Sequence, residues 1–155
     1  MATCILEQIA AALETVLKGI TVANGYTLDV GPVVRRTRVE GFAPEDRAIV
    51  LAQEDPEEDG EYEGGGSFRG WVQPFSIYCF RQASEKDLAD LDTRINAIRA
   101  DVEKAVRADP TLGALATDTR VRVPDLWALK SAAFEGVTVH VDVHYLTKED
   151  DPYSH

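Results

Sequence analysis

The chain has 155 residues, of which 45% are hydrophobic, and a formal net charge of −11. That length fits a single domain and the apolar share supplies a real core, while the charge repels polyphosphate and sets aside sequence-specific DNA or RNA binding. Residues 1–7 lack the basic start and cleavage site of a secretory signal, and no apolar run approaches the ~20 residues that span a bilayer. The expected place is the cytosol or a particle assembled there, with no membrane partner.

In chain order, Thr3 is positioned to cap a helix running to about Lys18. Ile5, Ile9, Leu13, Val16 and Ile20 recur at three- and four-residue intervals, and Gly19 is its stop. Asn24-Gly25 marks a turn, and Tyr26 to Val30 alternates as a strand does. Gly31-Pro32 interrupts it before a second, basic strand over Val33 to Val39. Arg47 to Gln53 reads as a short buried strand. Residues 54–66, EDPEEDGEYEGGG, hold seven carboxylates and four glycines in thirteen residues, a composition that predicts a long mobile hairpin loop.

Ser67 to Arg81 is the longest strand candidate, with Trp71, Phe75, Ile77 and Cys79 on one face. Pro74 has no N–H to donate, which predicts a bend or an edge position. Ser84 to Asp87 matches a capping box and opens the strongest helix, striped by Leu88, Leu91, Ile95, Ile98, Val102 and Ala105 and ended by Asp109-Pro110. A helical turn over Leu112 to Ala116 is expected next, then a strand from Arg120 to Lys130 broken at Pro124. Turns at Ala132-Ala133 and Glu135-Gly136 precede a last strand, Val137 to Thr147. There Val137, Val139, Val141, Val143 and Tyr145 face one way, and Thr138, His140, Asp142 and His144 the other. The expected fold is α+β, a mixed, mostly antiparallel sheet with two main helices on one face, over a single domain 1–148 and a loose acidic tail 149–155.

Three patterns invite chemistry. Asp55, Glu57, Asp59 and Gly60 occupy the first positions of a calcium-loop spacing, but the twelfth, where a bidentate Glu belongs, is Gly66. His140, Asp142 and His144 read as a metal triad on paper, yet along a strand the two histidines stand ~13 Å apart. Only a His140–Asp142 pair is within reach there, so a polar solvent or interface face is the expected reading. Cys4 and Cys79 lie far apart in sequence and read as buried thiols of a reducing compartment. No nucleophile elbow, Walker loop or dinucleotide fingerprint is present, and no catalytic, cofactor or metal residue is assigned. Charge points instead to assembly. Arg35, Arg36, Arg38 and Arg47 gather positive charge, while Glu57, Glu58, Asp59, Glu61 and their neighbours gather negative charge around Tyr62. Opposite patches of this kind suit head-to-tail contacts between identical subunits.

Several stretches resemble the tail-terminator, or tail-completion, proteins of long-tailed bacteriophages. They are Ile9 to Leu13 with Val16 to Ile20 and Asn24-Gly25-Tyr26, Phe75 to Cys79, Asp101 to Val106 running into Asp109 to Gly113, and Val137 to Tyr145. The resemblance implies a non-enzymatic virion protein, a small α/β subunit forming a hexameric homo-oligomeric ring on the last ring of tail-tube protein. Such a ring ends tube growth and offers a surface to the neck or head-completion protein, with DNA only as passing cargo and no cofactor. A head–tail connector or stopper is the neighbouring alternative. A small metal-dependent hydrolase and a monomeric adaptor are alternatives from other classes.

Overall fold

The computed structural model describes residues 3–36, 47–60, 66–82, 88–129, 134–149 and 151–153. Arg38, Glu61 and Tyr62, the capping box at 84–87, and the Ala132-Ala133 turn lie outside the described residues. The side chain of Arg47 is likewise not described, although its backbone opens the second strand.

Helix α1 spans Ile5–Lys18, and its stripe of Ile5, Ile9, Ala10, Leu13 and Leu17 is at most 1% exposed. The cap is Cys4, not Thr3, and no side chain bonds the first turn. The Ile5 N–H instead donates to Pro152 O at 3.1 Å, so the tail supplies one of the acceptors that a helix start requires. Nor is the described part of the tail loose. The Glu149 N–H donates to Ser67 O, and Asp151 bridges back to Lys148.

Tyr26 to Val30 is not a strand. Two of its N–H groups are taken by helix α2, Leu88–Ala108, and those of Tyr26 and Val30 go to Thr21 O and Ile20 O. The buried Asp101 carboxylate accepts from Thr27 N–H (2.9 and 3.1 Å) and Leu28 N–H (2.9 Å). Lys104 of the same helix donates to Gly25 O and lies 4.8 Å from the centre of the Tyr26 ring. Short 3₁₀ turns at Val22–Asn24 and Gly31–Val33 flank the segment. A Cβ at Gly31 would stand 2.1 Å from Lys18 O, so only glycine fits where this turn crosses the end of α1.

Seven strands form one sheet among the described residues: β1 Val34–Arg36, β2 Arg47–Gln53, β3 Glu57–Glu58, β4 Phe68–Gln82, β5 Asp118–Val121, β6 Asp125–Leu129 and β7 Phe134–Lys148. The order is β1-β2-β4-β7-β5, with β3 beside β4 and β6 beside β7. Only the β1–β2 pair is parallel. The spine is the fifteen-residue pair β4–β7, which takes in Glu135 and Gly136 as strand residues, not a turn. Phe75, Ile77 and Cys79 of β4 and the alternate valines of β7 share one buried face with the stripes of both helices. The α+β sandwich with its two helices on one face is therefore the observed fold.

Pro74 sits in the interior of β4, opposite Asp142 on β7 and between the stretches of β4 that pair with β2 and β3. On its other side the Glu54 N–H donates to Pro74 O. The return bond that proline cannot make is supplied by Gln73, whose Nε2 lies 2.6 Å from Glu54 O. The segment after α2 also departs from expectation. Leu112, Gly113 and Ala114 have φ of 49°, 70° and 71°, a left-handed turn in place of a helical one. Asp109 holds it by accepting from the Thr111 and Gly113 N–H groups, and buried Leu112 anchors it.

Candidate functional site

The acidic segment that follows β2 is built into the sheet over its described part. Glu57 and Glu58 form β3 against Val72 and Trp71, and the Asp59 N–H donates to Gly70 O. The Asp59 carboxylate meets His144 Nδ1 at 2.9 Å, with the two side chains only 13% and 11% exposed. A calcium-type ligand set does not gather here, because Glu57 is a strand residue and Asp59 is turned to His144. Among the described residues no three His, Cys, Asp or Glu side chains converge as metal ligands.

The other end of the segment is fixed by a chain of four polar residues on the helix-free face of the sheet. The Ser76 hydroxyl donates to the Glu54 carboxylate, His140 Nδ1 lies 3.1 Å from Ser76 Oγ, and His140 Nε2 lies 3.0 Å from Asp125 Oδ2. A hydroxyl has one proton to give. With that proton directed at Glu54, Ser76 has none left to give to His140 Nδ1. Serine, histidine and aspartate here share residue types with a hydrolytic triad but not its proton arrangement. A serine whose proton lies toward a carboxylate does not hand it to the imidazole, and at 1% exposure Ser76 offers no approach to a carbonyl carbon. The unit fastens β4, β6 and β7 to the segment that follows β2.

His140 and Asp142, which the strand spacing would let pair with each other, take cross-strand partners. Asp142 pairs with Arg122 at 3.0 Å, His140 with Asp125 and Ser76, and His144 with Asp59. This face is also less open than a solvent face, since Thr138 and His144 are buried.

The basic cluster is partly closed within the chain. Arg36 makes a two-point contact with Glu7 of α1 at 2.6 and 2.7 Å, which holds the Glu7 carboxyl below its usual range. Arg35 donates to Pro32 O and Val34 O. Together with Lys18 and Glu14, which pair at 2.6 Å, these residues line an open groove of about 670 Å³ between α1 and β1. Cys79 is fully buried and its thiol is pushed up to about 12 by desolvation, whereas Cys4 is half-exposed at the start of α1.

Of the nine expected contact residues, Glu57 and Glu58 remain exposed on β3, Asp59 is drawn inward, and Arg35 and Arg36 line the groove. Sequence reasoning missed Glu54, Ser76 and Asp125, and it missed Lys18 as a groove residue. A signal for Ser76 existed: it is a polar residue on the face of β4 opposite Phe75 and Ile77, as His140 is on β7. No helix among the described residues is long and apolar enough to cross a membrane. No protein-family model matches the sequence, and no curated protein matches it.

Proposed function

We propose that the chain is a structural subunit of a phage tail, assembling as a homo-oligomeric ring, a hexamer by resemblance, on the head-proximal end of the tail tube. The ring ends tube growth and presents a surface to the neck or head-completion protein. The observation that carries this reading is the exposed acidic strand Glu57–Glu58, fixed at a sheet margin by the Asp59–His144 contact on one side and the Glu54–Ser76 bond on the other. Fixed surface charge is suited to contact and register between subunits. Where it borders a lumen, it lets DNA pass without adhering.

The test is tail length. Tails assembled without this chain should outgrow their normal length, and purified protein added during assembly should restore it. Tubes of normal length in its absence would overturn the proposal.

A further inference from the structure

The polar chain Glu54–Ser76–His140–Asp125 has fewer protons than contacts. Its three contacts run from the Glu54 carboxylate to Ser76 Oγ, from Ser76 Oγ to His140 Nδ1, and from His140 Nε2 to Asp125 Oδ2. Each needs a proton between its two heavy atoms. Ionised carboxylates bring none, the serine hydroxyl brings one, and a neutral imidazole brings one. Two protons serve two contacts, so the third is completed only when one more proton binds. Of the side-chain types present, an imidazole is the strongest base, and it is the type that changes charge between about pH 5 and 8.

Burial decides which contact lapses when that proton leaves. Ser76 is 1% exposed, whereas the Asp125 side chain is 78% exposed and is free to turn to water. A neutral His140 keeps its N–H on Nδ1, facing Ser76, and Ser76 goes on donating to Glu54. The bare Nε2 then faces a carboxylate that only accepts, and Asp125 swings away. With the extra proton bound, all three contacts form together.

The other charged and titratable side chains near the ring leave this order in place. Arg122, whose N–H donates to His140 O, is paired with Asp142 at 3.0 Å. Tyr78 stands opposite Thr138, one pair along the β4–β7 ladder, and His144 is turned to Asp59. His144 needs no additional proton, because a neutral imidazole has the single N–H that its contact with Asp59 requires.

We infer that His140 is a proton-operated tether: protonated, it holds Asp125, the first residue of β6, to Ser76 of β4, and neutral, it lets Asp125 go. What loosens is the start of β6 and the connection leading into it, where Val123 is 85% exposed. This part of the sheet is closed in mild acid and looser in mild alkali, whether or not the chain forms a ring.

Nitrogen NMR of the full-length chain, isotopically labelled in histidine, reads which ring nitrogens carry protons, with His140→Gln assigning the signals. In wild type both His140 nitrogens should be protonated at about pH 5 and only Nδ1 at about pH 8. Glu54→Gln supplies the missing proton from its amide. Ser76 then donates to Nδ1, and His140 should carry its proton on Nε2 at the higher pH. Ser76→Ala cuts the chain and should give Nε2 as well. Hydrogen exchange at residues 125–127, corrected for the intrinsic effect of pH, should quicken by roughly threefold between the two conditions in wild type and not in Glu54→Gln. The same neutral tautomer in wild type and Glu54→Gln would overturn the inference. So would a His140 ring that stays in one state at both pH values, or exchange that quickens equally in the two proteins.

Discussion

If the two histidines hold the acidic segment in place, removing one of them should cost stability and free that segment. His144 Nδ1 and Asp59 Oδ2 lie 2.9 Å apart, with about nine-tenths of each side chain covered. A hydrogen bond to a charged partner contributes about 1.5–3 kcal/mol, and a carboxylate left buried without it adds a desolvation penalty. His144→Gln and Asp59→Asn should each destabilise by about 2 kcal/mol, and a double-mutant cycle in urea should give a coupling energy of similar size. At this chain length that is a fall of roughly 4–8 °C in Tm per single variant. Hydrogen exchange should quicken at residues 57–60 in either variant and stay unchanged in α1. A coupling energy below about 0.5 kcal/mol, or unchanged exchange over 57–60, would refute the reasoning.

Asp101→Ala should lose about 3 kcal/mol in chemical denaturation, because two backbone N–H groups lose a carboxylate acceptor. Exchange should quicken at Thr27 and Leu28 in that variant. Gly31→Ala forces a Cβ to within 2.1 Å of Lys18 O and should cost about 3 kcal/mol, read as a lower urea midpoint. A thiol reagent at pH 8 should label one cysteine in the native protein, Cys4, and both in denaturant, since burial holds Cys79 protonated.

Periodicity in the sequence was a sound guide wherever burial dominates. The stripe of α1, the part of the α2 stripe from Ile95 to Ala105 and the alternation of β7 put their apolar residues in one core, as expected, while the side chains of Leu88 and Leu91 lie outside the described residues. It failed where a distant polar group decides. The pattern of Tyr26 to Val30 fits a strand, but Asp101, more than seventy residues away, takes the N–H groups a sheet would need. Pro74 argued for an edge, but the neighbouring Gln73 supplies the missing donor. Leu112 and Ala114 adopt a left-handed backbone that their residue types disfavour, and the Asp109 contacts that impose it have no periodic signature. At the site, acidity and composition pointed to residues 54–66 as a contact element. The histidine contacts that fix its described part join β6, β7, β4 and β3, a juxtaposition that only the sheet register creates.

The most direct test of the central claim is where the protein sits in a tail. Purified tails labelled with antibody against this chain and imaged by electron microscopy should carry label only at the head-proximal end, on a ring of identical subunits. Label along the whole tube, or none on tails that have joined heads, would contradict the account.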